Sequence, residues 1–172
     1  TLTIEPGVTI TGGNVMFNTG CSPFAAMTLV NNGTITAAVG KVVILGSNVT
    51  LVNNGTVASN DGLVSINGPF NPFAGTYTGN NFTLGGTVDL GGATWNLAGK
   101  SYTLRGTTII TNGTLLTTGG TLTLPRGCDR ARLSDLVING DLNVNDGNIR
   151  LTNVVLNGVL RVTGSSSSSI TF

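Results

Sequence analysis

The sequence predicts an all-β protein, a single-domain parallel β-helix (β-solenoid) of about eight coils of 18 to 22 residues. Three observations lead there. The segment MTLVNNGTITAAVGKVVILGSN (Met27 to Asn48) is followed at once by VTLVNNGTVASNDGLVSINGPF (Val49 to Phe70), an ungapped copy in which Met27 aligns with Val49 and half of the positions are identical. Self-similarity at a fixed period marks a repeat architecture, in which each unit buries its apolar side against its neighbours. Within each copy, apolar and polar residues alternate over short runs such as Met27-Thr28-Leu29, and Asn-Gly or a lone Gly separates the runs. Finally, no long window carries a helical apolar period with caps, so no helix is expected.

The chain opens with TLTIEPGVTITGG, where Leu2 and Ile4 alternate with threonines, Pro6-Gly7 turns, and Val8 and Ile10 resume the alternation. This stretch resembles the coils of right-handed parallel β-helices found in autotransporter passenger domains, filamentous-haemagglutinin-like adhesins and pectin-lyase-like proteins. The resemblance covers most of the chain as a style of coil. It implies a right-handed helix and a secreted or surface-exposed protein, and no particular activity.

Val15 to Ala26, with Cys21, Pro23 and Phe24, breaks the rhythm and reads as a loop over one end of the core. In the duplicated pair, equivalent positions are expected to stack: Leu29 on Leu51, Ile35 on Val57, Val42 on Val64 and Ile44 on Ile66. Adjacent strands place such pairs about 4.8 Å apart. The Asn32-Gly33-Thr34 and Asn54-Gly55-Thr56 turns stack in this scheme too, glycine supplying a positive φ and asparagine a ladder of amide bonds.

After an excursion at Asn71-Pro72-Phe73, a slightly shorter register takes over. Phe82-Thr83-Leu84, Tyr102-Thr103-Leu104, Leu122-Thr123-Leu124 and Leu142-Asn143-Val144 share one pattern at even spacing, and Leu160-Arg161-Val162 follows it slightly early. Ile109 to Leu115 repeats the Leu29 to Ile35 pattern, and the Asn139-Gly140 turn recurs at Asn157-Gly158. Trp95 alternates with Leu97 and is assigned to the core rather than to a sugar platform. Residues 1–164 are thus expected to form the solenoid, and residues 165–172 a serine-rich tether with a terminal strand.

Thr, Asn and Gly make up 73 of 172 residues while charged residues are only 9%, a balance unlike an ordinary cytosolic domain. A formal charge of +1 argues against nucleic acid, which demands a basic stripe. No apolar run is long enough for a membrane-spanning helix, and no signal peptide is recognisable. Five Asn-x-Thr sequons (Asn32, Asn48, Asn54, Asn81, Asn112) are unsurprising in so Asn- and Thr-rich a chain. The two cysteines, Cys21 and Cys128, permit one disulfide. Five intervening coils would hold them roughly 24 Å apart, whereas a bridge needs Cα atoms within about 7 Å. Two free thiols or a bond between subunits remain.

Histidine is absent, which removes His-dependent triads and His-based metal sites together. Glycoside hydrolysis needs two carboxyls facing one sugar, and Asp129 and Asp135 are flanked by arginines that disfavour a general acid. Glu5, Asp61, Asp89, Asp141 and Asp146 are scattered. Asp141 to Gly147 resembles a calcium loop only superficially, because glycine falls one place late and Thr152 stands where Glu belongs. No cofactor is expected. Thr-x-Thr pairs (Thr1/Thr3, Thr9/Thr11, Thr34/Thr36, Thr76/Thr78, Thr121/Thr123) raise an ice-binding alternative, which requires the pairs in one column; their irregular spacing, and the change of Thr34-Ile-Thr36 to Thr56-Val-Ala58 in the duplicated copy, argue against it.

Two features point to function. Arg126, Asp129, Arg130, Arg132 and Asp135 crowd together just after Pro125, and read as an inserted loop that touches a ligand or a host surface, or else as structural cover by ion pairs. The ends look unfinished: Leu2 and Ile4 begin in strand, and Ile170 and Phe172 form an apolar alternation after Ser165 to Ser169. Starting at Thr also suggests a processed or excised chain. The first expectation is therefore a secreted structural subunit that polymerises head to tail with copies of itself, its last strand crossing into a neighbour. The alternative is the shaft of a bacterial surface adhesin or autotransporter passenger that meets a cell-surface glycan; a carbohydrate-active enzyme ranks last.

Overall fold

The computed structural model describes residues 1–18, 25–60, 62–124, 131–145, 147–163 and 169–172. Every regular element among them is a β-strand, neighbouring strands run parallel, and they stack as a β-solenoid of about seven turns. That is one turn fewer than coil length suggests, because the stretch between Ile66 and Thr76 adds only an isolated bridge from Phe70 to Leu51. The chain divides into two compact units, Thr1–Gly86 and Thr87–Phe172.

In the first unit each full turn contributes one short strand to each of three sheets. The first turn is β1 (Leu2–Ile4), β2 (Thr9–Ile10) and β3 (Val15–Phe17); the second is β4 (Met27–Asn31), β5 (Thr34–Ala37) and β6 (Val42–Leu45). The third is β7 (Val49–Asn53), β8 (Thr56–Ser59) and β9 (Leu63–Ile66), and β10 (Thr76–Gly79) with β11 (Asn81–Leu84) closes the unit. The sheets are β1-β4-β7, β2-β5-β8-β10 and β3-β6-β9-β11. Leu29 pairs with Leu51 and Ile35 with Val57, all four buried, as the duplication predicts.

The third sheet departs from that prediction. Val64 pairs with Val43 rather than Val42, and Ile66 with Leu45 rather than Ile44, so the offset between turns is one less here, and Val42 and Ile44 face outward. The turn from β8 to β9 is one residue shorter than that from β5 to β6. Because strand side chains alternate, a one-residue slip exchanges the buried and exposed sets. Val42 to Leu45 is apolar throughout, so its own pattern carries no mark of which face is inner.

The glycine turns also differ from expectation. Gly33 and Gly55 are absent from the positive-φ residues. What they supply is room: a Cβ on Gly55 would overlap the Gly33 carbonyl oxygen, and one on Gly33 would overlap the Val8 carbonyl oxygen. The turn backbones approach so closely because they bond to each other, Thr56 N–H donating to Gly33 O (2.9 Å) and Thr76 N–H to Gly55 O (2.8 Å). The asparagine ladder is present in two columns. Outside, Asn54 Nδ2 donates to Asn32 Oδ1 at 2.9 Å; inside, Asn31 Nδ2 donates to Asn53 Oδ1 at 2.8 Å, both residues fully buried.

The second unit is built from longer strands. Its elements are β12 (Thr87–Asp89), β13 (Thr94–Asn96), β14 (Ser101–Leu104), β15 (Ile109–Leu116), β16 (Thr121–Leu124), β17 (Ala131–Asn139), β18 (Leu142–Asn145), β19 (Asn148–Asn157), β20 (Leu160–Thr163) and β21 (Ser169–Thr171). β12 and β13 both pair with β15, and β17, β19 and β21 follow in the same sheet. The short strands stack β14-β16-β18-β20, with Leu124 on Val144 and Val144 on Val162, the register their shared pattern predicts. Each long strand turns its corner through one residue in the left-handed region: Asn112 (φ 62), Asp135 (φ 53) and Asn153 (φ 52). Asn and Asp tolerate that region better than other side chains. Trp95 is buried with its ring centroid 5.0 Å from that of Tyr102, a core position as expected.

Candidate functional site

Three surfaces carry the residues that sequence reasoning singled out. The first is the two terminal layers, where some inward-facing side chains are exposed. Leu2 belongs to the inward column of Leu29 and Leu51, yet it is 45% exposed while Leu29 is 0% exposed. In the second unit, Val162 ends the column of Leu124 and Val144; it is 48% exposed and Val144 is 0% exposed. Ile4 is buried above Asn31. Ile170 lies on Ile149 of the same chain, so the strand expected to cross into a neighbour pairs at home with β19; Phe172 beyond it is 87% exposed.

The second surface is the charged stretch. Arg126, Asp129, Arg130 and both cysteines, Cys21 and Cys128, lie outside the described residues, as do Ser165 to Ser168 of the tether. Arg132 and Asp135 are not in a loop: both belong to β17, where Arg132, Leu133 and Ser134 alternate outward and inward. The alternation of a sheet strand was obscured by the density of charge. Asp135 occupies the corner and accepts a bond from Asn153 Nδ2 at 2.8 Å. Arg132 stands on the open face directly beside Arg150, which sequence reasoning missed. A signal existed: Ala131-Arg132-Leu133-Ser134-Asp135 recurs one turn later as Ile149-Arg150-Leu151-Thr152-Asn153.

The third surface is the outer face of β2-β5-β8-β10. Thr9, Thr34, Thr56 and Thr76 occupy one column in register, and Thr36, Ala58 and Thr78 form a second column beside it. The spacing in sequence is irregular because the turns between rungs differ in length; in space Thr34/Thr36 and Thr76/Thr78 align, with Thr9 in line with the first of each. That removes the objection from spacing for this face alone: Thr3 lies on β1 and Thr121 and Thr123 on β16, and Ala58 interrupts the second column where the duplicated copy lacks a threonine.

Asp141, at the head of the stretch that resembles a calcium loop, is otherwise engaged. It accepts the Val159 N–H at 3.0 Å and pairs with Arg161 at 3.2 Å, and these partners, the backbone N–H foremost, hold its carboxyl below the usual range. An open polar cleft of about 360 Å³ beside it is lined by Thr117, Thr118, Gly119, Gly120, Gly140, Asp141 and Asn143. Among the described residues, no group of three or more His, Cys, Asp or Glu side chains is placed to hold a metal ion. No helix among them is long and apolar enough to cross a membrane. Compared with known proteins, the chain matches no family model, no curated protein and no solved structure.

Proposed function

We propose that the chain is a secreted structural subunit that stacks end to end with copies of itself into an extracellular filament. The observation that carries this reading is the exposure of inward-facing residues at the terminal layers, Leu2 in one unit and Val162 in the other. Both edges have the same grammar. On β3, Val15 and Phe17 belong to the inward columns of Val43 and Leu45; on β20, Leu160 and Val162 belong to those of Leu142 and Val144. A β20 edge pairing in parallel with a β3 edge of another copy extends both columns by one rung. Phe17 is already buried and Val15, Leu160 and Val162 are partly so, so each of those three gains a fraction of the about 1.5–3 kcal/mol that full burial brings; a contact between unlike edges propagates rather than closes. Secretion is supported by the low content of charged residues and the resemblance to surface β-helices.

Negative-stain electron microscopy tests it. Wild-type protein is expected to form fibres of heterogeneous length, and Leu2→Glu to abolish them while leaving the circular dichroism spectrum unchanged. Equal fibre formation by both, or fibres from neither, counts against the proposal; in the second case an adhesin shaft, whose edges continue into further coils, becomes the better reading.

The threonine columns favour a second reading, a face that orders water or binds ice. Hydroxyl and methyl groups then recur about 4.8 Å apart across strands and about 6.8 Å along them. Elsewhere stacked hydroxyls bond to one another, as Thr121 to Ser101 at 2.9 Å and Ser134 to Thr111 at 3.1 Å, while on this face the Thr36 hydroxyl accepts from Asn60 Nδ2 at 3.2 Å. Inhibition of ice recrystallisation that is lost in Thr34→Lys and Thr56→Lys would support this reading, and no inhibition by the wild type would remove it.

A further inference from the structure

We propose that the outer face of the β15-β17-β19 sheet binds an acidic polysaccharide through Arg132 and Arg150. The two arginines are direct partners on adjacent parallel strands, both exposed, with Ile109 on one side of the pair and Thr171 on the other. Their side chains therefore leave the sheet about 4.8 Å apart and on the same side. Like charges at facing positions repel, and among the described residues neither guanidinium has an ion pair. Among the described residues, the acids on this sheet are already engaged: Asp135 accepts from Asn153, and Asp89 from the Gly91 N–H (2.9 Å) and Asn112 Nδ2 (3.3 Å). An external carboxylate or sulfate removes the repulsion and meets two guanidinium forks, the geometry in which arginine binds oxyanions best.

The neighbouring column narrows the ligand. Ser134 and Thr152 stand one outward position along from the two arginines and are likewise strand partners. Hydroxyls beside each charge suit a polymer in which every anionic group is accompanied by sugar hydroxyls. A nucleic acid fits less well: the chain's formal charge of +1 supplies no basic stripe, and with Trp95 and Tyr102 buried the exposed Phe172, next to Thr171, is a single ring rather than a row of stacking platforms. The site is independent of end-to-end stacking.

Affinity chromatography and calorimetry on the full chain test the proposal, with polygalacturonate and dextran sulfate as carboxylated and sulfated probes and neutral dextran as control. Wild-type protein is expected to bind at least one acidic polymer and not neutral dextran, with affinity falling as salt rises. Arg132→Gln and Arg150→Gln are each expected to weaken binding about tenfold. The double variant is expected to melt no lower than wild type, since facing like charges have been removed. Undiminished binding by the double variant, equal binding of neutral dextran, no binding of either acidic polymer, or tighter binding of a single-stranded oligonucleotide would each overturn it.

Discussion

The two units turn the same short motif in different ways. Leu29-Val30-Asn31-Asn32-Gly33-Thr34-Ile35 and Ile109-Ile110-Thr111-Asn112-Gly113-Thr114-Leu115 are near copies. In the first unit the strand stops at Asn31, whose side chain points inward and bonds to Asn53, and a fresh strand starts at Thr34. In the second, β15 continues through the corner, Ile110 is the buried residue, and Asn112 takes the left-handed conformation. The residue ahead of Asn-Gly distinguishes them. An amide at that place can be buried because it bonds along the solenoid axis, whereas Thr111 stays on the outer face. Common to both corners is a glycine packed against the adjacent rung, since a Cβ on Gly113 would lie 2.6 Å from the Ala93 carbonyl oxygen.

Substitutions can break this comparison. Gly55→Ala drives a methyl into the Gly33 carbonyl and is expected to cost about 3 kcal/mol in chemical denaturation; a near-neutral result would mean that the turns do not stack so closely. Next is Asn53→Ala, which strips the inner ladder of its acceptor for Asn31 and of the bond from Asn53 Nδ2 to Ala74 O at 3.3 Å. Because a buried donor loses a partner, a loss of about 2 kcal/mol is expected. Asn31 Oδ1 is already a buried acceptor without a partner, Ile4 occupying the place where a further rung would supply one.

Smaller effects separate the corners. Asn112→Ala forces an alanine into the left-handed region and is expected to cost about 1 kcal/mol, with Asn112→Gly closer to wild type. Asn32→Ala, which loses only an exposed amide bond, is expected to cost about 0.5 kcal/mol and to show no such glycine preference. Equal responses at the two sites would erase the distinction. Last is a pH effect. Burial pushes the Tyr77 hydroxyl up to about 12, against an opposing pull from the Asn53 side chain. A folded value above the unfolded one makes its stabilisation complete below about pH 10 and progressively lost as pH rises toward 12. Alkaline denaturation should therefore be delayed in Tyr77→Phe relative to wild type, and coincident curves would contradict the burial of this hydroxyl.

Much of the fold is legible in the residues, and the failures share one cause. Alternation and the duplicated segment identify the Leu29/Leu51 and Ile35/Val57 columns because polar neighbours mark the outer face. At Val42 to Leu45 nothing marks it, and an ungapped alignment conceals a turn shortened by one residue. The threonine column was hidden the same way, since separation in sequence counts turn residues that do not separate rungs in space. Arg150 was hidden because charge was sought as a cluster along the chain, while parallel stacking brings together residues a full turn apart. The pairing of β21 with β19 was not anticipated, because Ile170-Thr171-Phe172 suits any open edge equally well.

Sedimentation velocity over a wide concentration series tests the central claim most directly. End-to-end stacking predicts a continuous distribution that shifts to larger species with concentration, and its collapse to one species in Val162→Glu at unchanged melting temperature. A single sharp boundary at every concentration for the wild-type chain would contradict it.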